Sequence, residues 1–169
     1  MNTLQKIDPK TIQENAIDLI GDKWMLVTAG TMQDHNTMTA SWGGLGVLWG
    51  KPVAFVFIRP QRHTFNFTEK HEELTLSFFA EDYKKALSIC GSVSGKDCDK
   101  DKEANLSPIQ VGENAVSYKE ARLILQCKKL YAEFLDEKNF VQEGLSEEFY
   151  KDKDFHRMYI VEITKAWIN

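Results

Sequence analysis

The sequence predicts a mostly β fold, an antiparallel barrel with peripheral helices, over residues 1–169 as a single domain. Three observations carry this. Segments rich in β-branched and aromatic residues recur along the chain, as in "PVAFVFIR" (52–59) and "ELTLSFFA" (73–80). Helical patterns are few and short. Two long runs, "ARLILQCKKLYAEFL" (121–135) and "HRMYIVEITKAWI" (156–168), exceed a flat strand and must coil, as strands closing a barrel do. The 169 residues suffice for one good core, and no repeat or composition shift divides them.

In chain order, Asp8 can cap a first helix, with Pro9 at its first position and Gly21 at its end. "KWMLVTAGT" (23–31) reads as a strand that pairs with "TMTASW" (37–42) across a turn at "QDHN". "VAFVFI" is apolar on both alternating faces and needs cover on both. A small barrel has one interior, so a two-fold partner is expected on the outer face, making a homodimer. A short helix begins near Thr64, its presumed cap. Tyr83, Ala86, Leu87 and Cys90 recur at helical spacing, with Gly91 past the end. The apolar phase of 121–135 slips near Cys127, which predicts a bulge or bend there. "EGLSEEFYKDKD" reads as an exposed helix or loop before the closing strand.

The net charge of −4 argues against nucleic acid as the main partner. No apolar run approaches the ~18 residues of a membrane span. "MNTLQKIDPKTIQ" holds no apolar signal core, and Cys90, Cys98 and Cys127 form no CxxC pair, so a reduced, cytoplasmic protein is expected. "HEEL" lacks the second histidine of a zinc helix, no serine sits in a nucleophile elbow, and "GGLGVLWG" lacks dinucleotide-fold spacing.

Three segments can carry chemistry. "RPQRHTF" (59–65) places Arg59, Arg62, His63 and Thr64 at a strand end that leads into a helix, which suits an anion; alone, it also reads as a basic loop with an ordinary threonine cap. "HNTMTASWGGLGVLWG" (35–50) sets Asn36, Thr39 and Ser41 beside Trp42 and four glycines. That suits a polar-edged flat ring, or else a glycine-rich barrel corner with a core tryptophan. In "SGKDCDKDK" (94–102), Ser94, Gly95, Lys96 and Lys100 can wrap a phosphate while Asp97 and Asp99 order the loop or cap a short helix; it also reads as a solvated charge run.

Together, "NTMTASW", "RPQRHT", "SGKDCDK" and "HRMYIVEI", in this order over residues 36–163, resemble the flavin reductase-like, FMN-binding split-barrel family, and most of all its flavoredoxin branch. The resemblance implies a Greek-key-like split β-barrel that holds FMN near the interface of a homodimer. It puts Asn36, Thr37, Met38, Thr39 and Ala40 along the isoalloxazine edge, and Ser41 and Trp42 by the ribityl chain and ring. Arg59, Arg62, His63 and Thr64 fall on the phosphate side. Lys100 is the lysine of an SGxDxDK loop that begins at Ser94, in which Lys96 replaces a frequent arginine. His156 is the one side chain that it offers for a catalytic role near flavin or nicotinamide; it also reads as a strand-start histidine bonded to backbone. Some relatives continue past the last strand, so a lid from such a tail is not expected in a chain that stops at Asn169. The implied function is an NAD(P)H-dependent flavin reductase or flavoredoxin-like oxidoreductase, with FMN as cofactor and NADH or NADPH as donor. The alternative is an FMN electron carrier reduced by a partner protein, without pyridine-nucleotide oxidation. A flavin-free small-molecule binder on the same fold is a third reading.

Overall fold

Residues 25–30 are buried without a break, the pattern of a strand covered on both faces. In the structure, a computed structural model describing residues 4–169, β2 (Met25–Gly30) turns into β3 (His35–Ala40) through a tight turn closed by Thr31 and Asp34. β4 (Gly43–Leu48) and β5 (Lys51–Ile58) form the next hairpin, followed by α1 (His63–Lys70) and β6 (Glu73–Phe78). Then come α2 (Lys84–Ser92), a one-turn α3 (Lys100–Glu103) and the small hairpin β7 (Pro108–Val111) and β8 (Ala115–Tyr118). The long strands β9 (Leu123–Phe134) and β10 (Arg157–Ile168) flank α4 (Leu145–Phe149), and β1 (Gln5–Ile7) pairs with the end of β10.

The main sheet runs β3-β2-β6-β9-β10-β5-β4, antiparallel throughout. Strands distant in sequence, β5 with β10 and β2 with β6, pair between the hairpins, as a Greek-key-like order requires. The inner face gathers Met25, Val27, Val56, Ile58, Leu76, Leu125, Tyr159 and Val161. On the outer face of β2 and β9, Leu26 and Ile124 pack with Leu87, Cys90 and Tyr118, under α2 and the β7–β8 hairpin. The residues alternate faces and both faces are apolar, so one sheet supports two cores.

Several expectations are corrected. Residues 8–21 are not one helix: Asp8 caps a single 3-10 turn at Pro9–Thr11, and a π-helical turn at Asp18–Asp22 follows. The β2–β3 turn lies at 31–34, so His35 and Asn36 belong to the strand. The glycine-rich stretch is no corner. It is β4, joined to β5 by Trp49 and Gly50, whose φ of 52° and 71° suit a primed hairpin turn. Gly43 has φ 151° and its Cβ would lie 2.6 Å from the Phe55 carbonyl, so only glycine fits there. Gly91 lies inside α2, and α1 is capped by Arg62 at the backbone, with Thr64 inside it. Trp24 precedes β2 with φ 70°, and Cys98 is half-buried. The slip near Cys127 is real: register shifts in the β9–β10 ladder leave Leu130 and Thr164 unpaired, on either side of it. On β5, Phe55 and Phe57 stay half-buried in the single chain, on the face where a partner is expected. Among the described residues no helix is long and apolar enough to cross a membrane.

Candidate functional site

Where β5 ends, the chain turns through Arg59 and Arg62 (Arg62 N–H to Arg59 carbonyl, 3.0 Å) and enters α1. The end of β3 and the short link at 41–42 lie beside this turn. Between them is a cavity of about 210 Å³, lined by Met38, Thr39, Ala40, Ser41, Trp42, Phe57, Arg59, Arg62 and His156. A second cavity, of about 240 Å³, is lined by Asn36, Thr37, Gly95, Lys100 and their neighbours.

The two arginines are held differently. Arg59 forms an ion pair with Asp154, donates to the Phe149 carbonyl (2.9 Å) and lies over the Tyr150 ring at 5.0 Å. Arg62 has a buried Nη2 with no hydrogen-bond partner among the described residues, and burial lowers its pKa. Lys100 is also buried; its ammonium donates to the carbonyls of Thr37 and Cys90 (2.8 Å each), neither of which carries charge. Burial, then the charge of Arg62, pushes its pKa down to about 8. Two desolvated cations that feel each other without a carboxylate partner make a place where an anion is stabilised. Thr64 donates to Asn36 Oδ1 (3.0 Å), and Gly95 sits so close that a Cβ would lie 1.9 Å from Asn36 Nδ2. α1 begins here without a side-chain cap, so its first N–H groups point to the same region.

The opposite end is aromatic and neutral. Trp42 packs edge-on against Phe149 (5.6 Å) and lies 5.3 Å from His156, whose ring also meets Phe57. His156 Nδ1 pairs with the Tyr150 hydroxyl at 2.7 Å. Burial, helped by the charge of Arg59, lowers the His156 pKa to about 4, and burial raises that of Tyr150. The imidazole is therefore uncharged at neutral pH, with the phenol proton in place.

The expected residues divide accordingly. Met38 to Trp42, Arg59, Arg62 and His156 meet at the first cavity, and Asn36, Thr37 and Lys100 at the second; His63 and Thr64 open α1. His63 Nδ1 is buried without a partner. Ser94 and Lys96 line neither cavity: the Ser94 hydroxyl accepts from the Lys96 N–H, and the Lys96 side chain is exposed. The Thr37 hydroxyl is engaged with Thr28 (2.9 Å) and that of Thr39 with the Leu87 carbonyl, so β3 offers the cavity mainly backbone. Asp99 caps α3, as its place in the loop suggested. Sequence reading missed Phe57, Phe149, Tyr150 and the pair His35–Asp101. The aromatic residues within the charged stretch "EEFYKDKDFH" were the available signal.

Residues 19–169 match the family model described as Flavin reductase like domain. Among solved structures, the chain resembles the FMN-binding domain of a flavin reductases-like enzyme from Shewanella baltica OS155, with TM-score 0.70 and 18% identity over 99% of this chain and 78% of that one. A flavin reductase with a split barrel domain from Shewanella frigidimarina gives TM-score 0.69 and 17% identity, covering 96% and 75%. Flavoredoxin of Desulfovibrio vulgaris (Miyazaki F) gives 0.67 and 19%, covering 86% and 69%. No curated protein matches the chain. The shared fold is the split β-barrel.

Proposed function

The chain belongs to the flavin reductase-like domain family, and on that premise we propose that it binds FMN and works as an NAD(P)H-dependent flavin reductase or flavoredoxin-like oxidoreductase. The observation that carries the reading is the half-buried Arg62, whose buried Nη2 has no partner among the described residues, at a cavity whose other wall is residues 38–42. Arg62, Lys100, Thr64 and the start of α1 would hold the phosphate, and Gly95 lets the Asn36 side chain pack close beside them. Backbone at 38–41 would meet the ring edge, with Trp42 beside the ring. FMN, when bound, supplies hydride acceptance from a nicotinamide. The protein's part is to fix the ring, exclude water from one side and leave the other side accessible. The neutral His156, held by Tyr150, offers a hydrogen bond there without adding charge.

Purified protein should be yellow or become so with FMN, and should bind FMN far more tightly than riboflavin. Arg62→Ala with Thr64→Ala should remove most of that difference; equal affinity in the parent protein would overturn the phosphate assignment. Oxidation of NADH or NADPH with free FMN tests the reductase activity. Its absence from an FMN-binding protein would favour the electron-carrier reading, which the exposed rims of Trp42 and Phe149 also support as a docking surface for a protein donor. Val47 and Trp49 on the β4–β5 hairpin, and Tyr131 and Phe134 on the outer half of β9, are exposed apolar groups that a second copy would cover. A sedimenting mass of about 39 kDa, twice the 19.4 kDa chain, is expected for that dimer, and a clean monomer would refute it. Three unpaired cysteines suit a reducing, cytoplasmic setting.

A further inference from the structure

His35 opens β3 and is half-buried in the wall of the second cavity. Both of its ring nitrogens face acceptors. Nδ1 lies 3.1 Å from the Thr31 carbonyl, which can only accept, and Nε2 lies 2.9 Å from Asp101 Oδ2. The other oxygen, Oδ1, takes the Tyr118 hydroxyl at 2.9 Å. Tyr118 is buried, which raises its pKa and keeps its proton in place. With a donor supplied to Oδ1 and a carbonyl at Nδ1, the arrangement is satisfied when Asp101 is a carboxylate and His35 an imidazolium.

Asp101 directly follows Lys100, so this pair fastens α3 to β3 at the point where Lys100 reaches the Thr37 carbonyl. The other groups around the ring are Asp34 from the β2–β3 turn, Cys98 from the loop, and Asp99 and Lys100 at the start of α3; Arg62 acts on Lys100 from α1. His35 is the cation that faces Asp101 directly. Were it neutral, the Asp101 carboxylate would stand uncompensated next to Lys100 and oppose an anion there.

We propose that His35 is a positioning residue: as an imidazolium it clamps Asp101, sets α3 so that Lys100 faces the anion site, and makes retention of a phosphate-bearing ligand pH-dependent. This rests on the phosphate reading given above. Burial opposes the charged ring, but the bond to Asp101 outweighs it and raises the His35 pKa above 6.5. Anion affinity attributable to the clamp is therefore present at low pH and lost as pH rises through that raised value.

The test has two arms. In flavin-free protein, two-bond ¹H–¹⁵N correlation spectra across pH 5–9 report the ring state of His35. The expected midpoint lies above the ordinary 6.5, with both nitrogens protonated below it; a midpoint at or below 6.5 overturns the clamp. The second arm measures the ratio of riboflavin to FMN dissociation constants from pH 7 to 9, where the phosphate is already doubly charged (second pKa about 6). Lys100 titrates in the same range, so variants separate the two groups. His35→Gln should lower the ratio at pH 7 by roughly three- to tenfold, the scale of one nearby charge. It should keep only the later loss due to Lys100. Asp101→Asn, which removes the carboxylate that His35 neutralises, should flatten the His35 step and serves if His35→Gln folds poorly. Ratios in both variants that match wild type at every pH overturn the role of His35. No FMN preference in wild type at any pH overturns the phosphate reading and the coupling with it, while the spectra still report the clamp.

Discussion

Arg59 and Arg62 stand three residues apart on one turn, and the fold treats the two ends of the cavity that they mark in opposite ways. At the aromatic end the arginine and the histidine are both engaged: Arg59 has Asp154 and a carbonyl, and His156 Nδ1 has Tyr150. At the polar end Arg62 Nη2 has no partner among the described residues, and Lys100, in the second cavity, has only carbonyls, although the chain holds 25 acidic residues. Leaving a buried cation unpaired costs stability, so a chain that does it twice in one place gains something when an anion arrives. The difference separates an arginine engaged within the fold from the one proposed to meet the ligand, where residue type cannot.

The largest effect that sharpens this contrast is a difference in acid and alkaline stability between two histidines. His156 at the aromatic end has its folded pKa depressed to about 4, so the unfolded chain takes up its proton first as pH falls below 6.5. Its contribution is complete above about pH 6.5 and lost on descending to 4, a change of up to about 3 kcal/mol. His35 at the polar end has its pKa raised, so its contribution is complete below 6.5 and lost as pH rises through the folded value. Denaturant titrations at pH 4.5, 7 and 9 should show His156→Phe flattening the acid limb only and His35→Gln the alkaline limb only. An unchanged acid limb in His156→Phe would mean that the imidazole is not held neutral by its surroundings.

Next is the arginine pair itself. Arg62→Met removes an unpaired buried charge and should raise the thermal midpoint of flavin-free protein, while weakening FMN by about 1.5–3 kcal/mol, the worth of a charge-assisted bond. Arg59→Met leaves Asp154 only the Gln61 amide and should loosen residues 149–154. It should lower the midpoint by about 1–3 kcal/mol of stability, with a smaller effect on FMN. If both substitutions destabilise the flavin-free protein alike, the asymmetry of the two ends is not energetic.

How much of this was legible in the sequence follows the same division. Strands with strong alternation or double-sided apolar runs were readable, because burial leaves its period in the residues. β4 was not, since four glycines in "GGLGVLWG" erase side-chain alternation, although Trp49 and Gly50 are a turn pair. The basic segment 59–64 was legible as residue types at a strand end, yet Thr64 does not cap the helix, because its hydroxyl is used across the fold, on Asn36. Ser94 and Lys96 matched a motif but point elsewhere. Asp101 could not be found, since its partner His35 lies 66 residues away and no local pattern encodes that pairing, whereas Tyr150 stood six residues from His156 in an aromatic stretch that reads as exposed.

The smallest expected effect concerns two tryptophans. Trp42 lies at the aromatic end, 46% exposed, on the cavity wall. Trp24 lies away from it, half-buried, with the Lys84 ammonium 3.4 Å from its ring centre. An indole beside a flat ring contributes about 0.5–1.5 kcal/mol beyond area and should quench flavin fluorescence. Trp42→Leu should therefore brighten bound FMN and weaken it modestly, with little loss of fold, because the side chain is not in the core. Trp24 is not the buried strand residue that its sequence context suggests. Its removal sacrifices a cation–π contact of about 0.5–1 kcal/mol and part of a packed edge, so Trp24→Leu should lower stability mildly without changing the flavin spectrum. Fluorescence of the two holo variants, set beside their melting curves, decides it. A spectral change in Trp24→Leu and none in Trp42→Leu would move the ring away from residues 38–42 and leave the aromatic end with a structural role alone.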